Sequence, residues 1–262
     1  MSTEHKLYLK KLKIRKIIVN TLRIGLLAAF IGLWELIAVL EIVDPFIISS
    51  PSRIIHLIGD LHQSNNLFPH IWTSLYETVM GFLIATILGT LIAIILWWNK
   101  LIRDVLEPYI ITLNSLPKIA LGPIIIVWMG TGSKSIIFMA VLICIIITII
   151  SMLSGFASVD KEKIMLLRSM QANKFKILIK LILPANIPTL ISVLKINVGL
   201  SWIGSILGEY LSSQKGLGYL LVYGSQVFQL DLVMTSTVIL CILAGGMYGA
   251  VALLEKFVKK KF

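Results

Sequence analysis

The stretch IIFMAVLICIIITIISML, residues 136–153, decides the fold of this chain. It lies between Lys134 and Asp160, and no charged residue falls between those two positions. A bilayer core about 30 Å thick needs about 20 mainly apolar residues for one helix to cross it. The stretch therefore predicts a helix that spans a membrane.

Similar apolar windows recur along the chain. Residues 78–98 and 232–254 contain no charged side chain, and residues 24–40, 109–133 and 182–208 contain one each. Hydrophobic residues make up 57% of the chain and charged residues 14%, against roughly 45–50% and about 25% in soluble domains. We therefore predict an all-α integral membrane protein of about six transmembrane helices. The predicted spans are residues 22–40, 78–98, 109–130, 136–154, 187–207 and 232–254.

The first window follows a basic stretch, as the apolar core of a secretory signal peptide does. Its apolar run is longer than the usual core of ~7–15 residues, and no small-residue cleavage site precedes Glu41. We therefore interpret this window as a first span that the protein retains.

The positive charges lie mostly on one side of the predicted spans. Of the 24 Lys and Arg residues, seven lie near the N-terminus, two after the second span, six in residues 156–184 and four at the C-terminus. Because basic loops stay in the cytoplasm, this asymmetry predicts that both termini are cytoplasmic. The transmembrane domain, 22–254, then lies between a basic arm, 1–21, and a basic tail, 255–262. The net charge of +11 is better explained by anionic lipid headgroups than by nucleic acid.

Two longer segments are predicted on the opposite, outer side. Residues 41–77 begin with two prolines and a serine cluster within residues 43–52, which mark turns. Ser52 is a candidate cap for a short helix that lies along the membrane surface or covers the bundle. Its apolar face would comprise Ile54, Leu57, Ile58 and Leu61.

The second outer segment, residues 209–231, is semi-apolar and too short to span. Gly216 and Gly218 stand near its middle. A re-entrant or lid-like element is one interpretation, since irregular backbone at membrane depth requires a cavity or protein surroundings. A purely structural loop is the other.

The cytoplasmic loop of residues 156–184, called the coupling segment below, mixes charged and apolar residues. Ile164 and Leu167 recur at near-helical spacing, and the loop ends at Leu183-Pro184. The pattern predicts two short surface helices separated near residues 171–173. Such helices could rest on lipid or present their turn to a soluble partner.

This segment resembles the cytoplasmic loop of bacterial ABC importer permeases. That family carries Glu-Ala-Ala, three residues, Gly, nine residues and Ile-x-Leu-Pro. Counting back from Leu183-Pro184 places Gln171 at the Gly position and Met165, Leu166 and Leu167 at Glu-Ala-Ala. The spacing is kept, whereas the Glu and the Gly of the motif are replaced.

Further likeness to the nitrate, sulfonate and taurine branch of this family runs from about residue 33 to the C-terminus. The matching motifs are Trp34-Glu35, Asp44-Pro45-Phe46, Ser50-Pro51-Ser52, Leu116-Pro117-Lys118-Ile119-Ala120-Leu121-Gly122-Pro123, Trp128-Met129-Gly130 and Gly216-Leu217-Gly218-Tyr219. The resemblance implies a type I importer permease-like bundle.

The resemblance also implies the partners of such a permease. The coupling segment would dock on a separate ABC ATPase that binds ATP and Mg, so this chain would need no cofactor or metal. A second permease copy would complete the pathway, and an extracytoplasmic binding protein would deliver the solute. The expected ATPase contacts are Met165, Leu166, Leu167, Arg168, Ser169, Gln171, Ala172, Asn173, Leu183 and Pro184.

A phosphate-binding loop is missing from the sequence itself. A Walker A loop requires G-x-x-x-x-G-K-[ST], so that backbone amides surround the phosphates and the lysine reaches them. The nearest match, residues 130–135, has the wrong spacing and is predicted to face outside. We therefore expect another chain to hydrolyse ATP.

Charged residues inside the predicted spans are candidates for the pathway or its gate, since burying a charge in a bilayer costs about 2.5–3.5 kcal/mol on insertion scales. Lys118 lies between Pro117 and Pro123, which predict a broken helix. Lys118 and Lys195 could attract an anionic solute or pair internally with a glutamate. Glu35 and Glu209 are expected near outer span ends, where their side chains reach the surface. The full candidate set is Pro117, Lys118, Pro123, Lys195, Glu209, Gly216 and Gly218.

Two other classes of protein remain as alternatives. A secondary transporter that works without an ATPase would usually show an internal repeat with paired broken helices, and only one candidate break is visible. An intramembrane enzyme would need clustered catalytic or metal-ligating residues, and the four histidines fall outside the spans without ligand spacing. The solute stays open among nitrate, sulfonates, taurine, bicarbonate and vitamin precursors.

Overall fold

A computed structural model of the chain describes residues 3–64 and 66–261. Side chains are described for residues 11–64 and 66–259. The side chains of Lys6, Lys10, Lys260 and Lys261, which belong to the predicted basic ends, lie outside this part. Within the described residues the chain forms helices and turns but no strand.

The first half of the chain forms six α-helices and one 3-10 turn. They are α1 (Thr3–Val39), α2 (Pro45–Ile48), α3 (Pro51–Gln63), α4 (Leu67–Trp98), α5 (Lys100–Ser115), the 3-10 turn Lys118–Leu121 and α6 (Gly122–Met129). The second half continues with α7 (Ser133–Ala157), α8 (Lys161–Ser169), α9 (Lys174–Ile177), a π-helical turn (Leu178–Ile182), α10 (Leu183–Ala185), α11 (Ile187–Ser212), α12 (Leu217–Gln226) and α13 (Leu230–Lys261).

Five of these helices are long and apolar enough to cross a bilayer, namely α1, α4, α7, α11 and α13. The segment Lys100–Ser115 and the segment Lys118–Met129 are also long and apolar enough together, with a bend of 88° between them. The described residues therefore provide five spans, or six when the bent pair counts as one. The predicted all-α fold with about six spans is confirmed.

Helices α4 and α11 run past the ends of the predicted spans. α4 begins at Leu67 and carries Glu77 in its interior, and α11 continues beyond Glu209 to Ser212. The predicted spans, which were defined by charge-free windows, end near these glutamates because a charged residue is expected at the membrane surface. In the fold both side chains are buried, so the expectation that Glu209 reaches the surface is wrong.

The centre of the bundle is the packing of α4, α7 and α11. Small residues allow these helices to approach closely, as is common between membrane helices. A Cβ atom added at Gly204 of α11 would lie 2.5 Å from the Cα of Ala140 in α7. One added at Gly81 of α4 would lie 2.5 Å from the Cβ of the same alanine. Ala140 is thus held between two glycines from two different helices.

Polar side chains connect the same three helices. Asn197 of α11 is fully buried and donates to Thr148 Oγ1 of α7 at 2.8 Å and to Thr86 Oγ1 of α4 at 3.1 Å. Closer to the outer end, Thr78 and Ser205 share a hydrogen bond of 2.5 Å between α4 and α11. In membrane proteins such bonds contribute on average about 0.6 kcal/mol each, so these contacts fix helix register more than they add stability.

The motifs at the outer end of α1 bind one another. Trp34 Nε1 donates to the carbonyl of Ile48 at 3.2 Å, and Glu35 Oε2 accepts from the Ser52 backbone amide at 3.0 Å. The cap of α3 is Ser50, which accepts from the Arg53 amide, and the prediction of Ser52 is wrong. Pro51 explains the difference, because proline favours the first helical position and leaves the cap to the residue before it.

Helix α3 covers the bundle instead of lying free on the membrane surface. The predicted apolar face is confirmed, since Ile54 is buried and Leu57, Ile58 and Leu61 pack on the core. An ion pair of 3.4 Å between Arg53 and Asp231 also joins α3 to the start of α13.

Candidate functional site

The coupling segment begins as a capped helix. Asp160 Oδ1 accepts from the Glu162 backbone amide at 2.8 Å, which satisfies one of the free amides at the start of α8. Asn173 does the same for α9, accepting from the Lys176 amide at 2.8 Å. The two predicted short helices and the break between them are confirmed.

Between the two helices the chain forms a Schellman turn. The Ala172 amide donates to the Leu167 carbonyl and the Gln171 amide to the Arg168 carbonyl, both at 2.9 Å. This pair of bonds requires a left-handed residue after the helix, a position that glycine usually occupies. Gln171 has φ +58° and fills that position. The Gly position of the importer motif therefore coincides with the residue whose backbone needs glycine-like geometry.

One face of the coupling segment packs on the bundle. Ile164, Leu167 and Ala172 are partly buried against a core cluster that includes Phe156 and Ile177. Leu167 and Ala172 occupy the two positions of a Schellman turn that are commonly both hydrophobic, and here both pack on the same cluster. The segment is therefore a fixed part of the fold.

The other face of the coupling segment presents large apolar side chains to the surroundings. Met165 is 67% exposed and Met170 70% exposed, and Leu166 and Phe175 are also exposed. Arg168, Ser169, Gln171 and Asn173 are exposed beside them. Eight of the ten predicted contact residues thus lie on α8 and its turn, whereas Leu183 and Pro184 are partly buried where the chain re-enters the bundle.

The chain re-enters the bundle through the π-helical turn. Pro184 lies two positions after the last residue of this turn, and its ring nitrogen has no hydrogen to donate to a carbonyl four residues earlier. A wider local helix accommodates such a missing bond. Asn186 Nδ2 donates to the Ile182 carbonyl at 2.9 Å and so satisfies a further group at this point.

Lys174 joins the coupling segment to the end of α4 through a hydrogen bond and contacts with two aromatic rings. Its ammonium group donates to the carbonyl of Trp98. The same group lies 5.6 Å from the ring centre of Trp97 and 5.5 Å from that of Trp98, within the range of a cation–π interaction. Asn99, which ends α4, also caps the start of α5. Lys174 therefore contacts the junction between a span and the bent segment.

The predicted break between Pro117 and Pro123 is present in the fold. α5 ends at Ser115, and α6 begins at Gly122, with Pro123 in its first turn. Lys118 Nζ donates to the Asn114 carbonyl at 3.2 Å, which is one of the carbonyls left free by the break. Its side chain thus supports the end of α5.

One face of the broken span is not covered by any of the described residues. Val127 and Trp128 are highly exposed, and so is Ile119. An apolar groove of about 480 Å³ begins at Ile119 and runs between α11 and α13. Gly122 on the opposite side is buried, and a Cβ added there would overlap Leu211 of α11. α6 therefore contacts the outer end of α11 while its other face stays open.

Lys195 lies away from the broken span. Its ammonium lies 2.5 Å from Glu255 Oε2 of α13, and Lys259 contacts the same carboxylate at 2.9 Å. The Tyr248 ring centre is 5.9 Å from the Lys195 ammonium. Of the two interpretations of Lys195, the structure places it in an internal pair with a glutamate.

Glu209, Gly216 and Gly218 form a third group at the outer end. Glu209 Oε2 accepts from the Gly218 amide at 2.6 Å and so caps α12. Gly216 has φ +109°, and a Cβ on it would overlap the Glu209 carboxylate. One on Gly218 would lie 2.8 Å from the Glu209 Cβ. The glycines are therefore needed so that the backbone can approach the carboxylate.

Two side chains of α4 that the sequence did not single out complete this group. His70 Nδ1 accepts from the Gly216 amide at 2.9 Å, and Ser74 Oγ accepts from the Leu217 amide at 2.7 Å. The spacing of four residues places His70 and Ser74 on one face of α4, which the sequence does show. Their partners Gly216 and Leu217 lie 146 and 143 residues further along the chain, so the sequence alone does not connect them. The candidate gate residues thus fall into three separate places, namely the break, the α11–α13 pair and the start of α12.

Comparison with known proteins assigns this architecture to a family. Residues 85–260 match the family described as binding-protein-dependent transport system inner membrane component. A permease of Bacillus subtilis (strain 168) named for aliphatic sulfonates transport, SsuC, is 28% identical over 229 residues, covering 87% of this chain and 83% of that protein. The taurine transport system permease protein TauC of Escherichia coli (strain K12) is 25% identical over 229 residues, covering 86% and 83%.

A solved structure shows the same fold. The inward-facing MetNI methionine ABC transporter superimposes with a TM-score of 0.66 at 18% sequence identity. The alignment covers 75% of this chain and 97% of the matched chain.

Proposed function

We propose, on the premise that this chain belongs to the family of binding-protein-dependent transport system inner membrane components, that it lines the solute pathway of an importer and docks a separate ATPase. The docking surface is the coupling segment, residues 156–184. The pathway lies along the exposed face of the broken span.

Membership in this family settles the class of protein. The chain is a multi-pass permease subunit of an ABC importer in a prokaryotic inner membrane, and it is a transport subunit and not an enzyme. The predicted type I permease fold and the predicted nitrate, sulfonate and taurine branch are confirmed by these relatives.

The exposed apolar face of α8 is the single observation that carries the docking proposal. Met165, Leu166 and Met170 point away from the bundle although the opposite face of α8 is already packed. Contiguous apolar patches on an exposed surface mark interaction sites. The neighbouring Schellman turn and the Lys174 contact hold this patch in one position, so a partner binds it without first having to order it.

The family and its relatives support the following assignment of the partners. The ATPase carries the ATP and Mg, a second copy of this chain covers the open face of the broken span, and an extracytoplasmic solute-binding protein delivers the solute. The solute is a small molecule of the sulfonate or taurine type or a vitamin precursor. The names of SsuC and TauC support the first of these.

Substitution of the exposed α8 face tests the docking proposal. The full chain is co-expressed with an ABC ATPase from the same organism, and the ATPase that co-purifies from solubilised membranes is measured. Met165→Asp and Leu166→Asp each place a carboxylate in the apolar contact. We expect each to reduce the bound ATPase at least tenfold, or about 1.4 kcal/mol, because burying an unpaired charge is costly.

A matched control is available at the outer end. Ile55 of α3 is 70% exposed, like Met165, and Ile55→Asp should leave the bound ATPase unchanged. Equal binding by M165D and I55D would remove the docking proposal. Solute uptake into liposomes by the purified chain alone, without ATPase or ATP, would instead indicate a secondary transporter.

A further inference from the structure

A polar cavity opens at the outer end of the bundle, apart from the coupling segment and the open face of the broken span. Its volume is about 350 Å³. Its lining includes Glu77 of α4, Thr131 from the loop between α6 and α7, Ser133 at the start of α7, and Ser213 and Lys215 from the loop before α12.

Two buried carboxyl groups meet beside this cavity. Glu77 and Glu209 are each only 1% exposed. Thr78, next to Glu77, shares a hydrogen bond with Ser205, which lies one helical turn before Glu209, so the two carboxyl groups lie at the same level between α4 and α11. Glu77 Oε2 and Glu209 Oε1 are both buried and receive no hydrogen bond from a protein donor. Glu77 also lines the cavity, so the buried pair lies directly beside it.

The neighbours of the pair supply no compensating positive charge. Glu209 accepts from the Gly218 amide, and Ser133 lines the cavity together with Glu77. Among the described side chains no lysine, arginine or histidine forms an ion pair with either glutamate.

Two titratable groups lie close to the pair without neutralising it. His70 uses Nδ1 to accept from the Gly216 amide, and its ring stacks on Tyr219 with centres 6.0 Å apart. Lys215 lines the cavity, but its side chain is exposed.

Two negative charges cannot coexist in such contact. Like charges that share a buried site strongly disfavour double ionisation, and an uncompensated buried charge is destabilising by several kcal/mol. The unpartnered acceptors here are carboxylate oxygens, which suit a proton or a hard cation. We propose that Glu77 and Glu209 form a binding site for one monovalent cation, a shared proton or Na⁺, which enters through the outer cavity.

The site joins three elements of the outer end. Glu209 holds the start of α12, Glu77 belongs to α4, and Ser133 begins α7 directly after the loop that follows the broken span. An occupied site keeps these elements together, whereas an empty one leaves two carboxylates that repel each other. Occupancy therefore stabilises the outer end in the arrangement seen here.

Thermal unfolding of the purified full-length chain in detergent micelles tests the site. The unfolding temperature Tm is measured at pH 6 and pH 9, in NaCl and in choline chloride of equal ionic strength. In choline chloride we expect Tm to fall by at least about 3 °C from pH 6 to pH 9, the shift that ~1 kcal/mol produces in a chain of this size. Recovery of Tm by Na⁺ at pH 9 identifies Na⁺ as a ligand, and its absence identifies the proton.

Isosteric variants distinguish the contribution of the two glutamates to the Tm response from that of neighbouring groups. Glu77→Gln removes one charge and lets the amide donate to Glu209, so the pH and Na⁺ response should be lost; Glu209→Gln is the second variant if the first does not fold. Lys215→Gln should retain the response. If the dependence of Tm on pH and Na⁺ persists in E77Q, His70 causes it; if it disappears in K215Q, Lys215 causes it. Either result, or a wild-type Tm that does not depend on pH, would overturn the proposal.

Discussion

Replacement of Gln171 measures the backbone strain at the turn of the coupling segment. Its φ of +58° lies in the left-handed region, and its side chain is exposed, so a substitution changes backbone energy with little loss of contacts. Left-handed geometry costs an ordinary residue about 1–2 kcal/mol, and glycine loses about 0.5–1 kcal/mol in extra chain entropy. Gln171→Gly should therefore stabilise the turn by about 0.5–1 kcal/mol. Gln171→Val should destabilise it by at least about 1 kcal/mol, because a β-branched residue is an outlier there.

Limited trypsin digestion reads out this local stability, because Arg168 and Lys174 flank the turn and are both exposed. When opening is fast relative to cleavage, the cleavage rate follows the population of the open state, and 1 kcal/mol changes that population about fivefold. We expect Q171V to be cut about five times faster than the wild type and Q171G more slowly. Met170→Val is the control, since Met170 is equally exposed but has φ −82°. Equal cleavage of Q171V and M170V would refute the strain argument.

Three further substitutions test other contacts. Lys174→Met should lower the free energy of unfolding by about 1–2 kcal/mol, because the variant loses one contact with a carbonyl and two contacts with aromatic rings. Lys176→Met, at an exposed position of the same helix, should leave the free energy of unfolding unchanged. Thermal unfolding measures both. Gly218→Ala should destabilise the chain by about 1–3 kcal/mol through overlap with the buried glutamate of α11, whereas Gly59→Ala, which meets nothing within 4 Å, should not. Lys118→Gln should lower uptake in the assembled importer about fivefold, or ~1 kcal/mol, if the lysine attracts an anionic solute; unchanged uptake kinetics with normal assembly would exclude Lys118 from the pathway.

Hydropathy was sufficient to predict the spans, because each span is a local run of apolar residues. The same reasoning missed the interior position of Glu77, since its neighbour Glu209 lies on another helix and only the folded bundle brings the two together. Lys174 and Trp98 are separated by 76 residues, and nothing in either local sequence links them. Long-range side-chain contacts were thus the part that sequence periodicity could not supply.

Local backbone features were more accessible to prediction. The break near Pro117 follows from missing amide hydrogens, and the turn near Gln171 follows from the spacing before Leu183-Pro184. Ser50 was accessible too, because a proline at the first helical position indicates that the residue before it is the cap. The choice of Ser52 overlooked that rule.

The Lys174 contact gives α5 the geometry of a lever. α5 starts two residues after Trp98, whose carbonyl Lys174 contacts, and its 16 residues make an arm about 24 Å long. Its far end turns through 88° into α6, which presses on Leu211 of α11. A tilt of α5 by about 5° about its first residue would displace its last residue by about 2 Å over that length. A small movement of a docked ATPase would therefore cause a larger lateral displacement of α6 near the outer end.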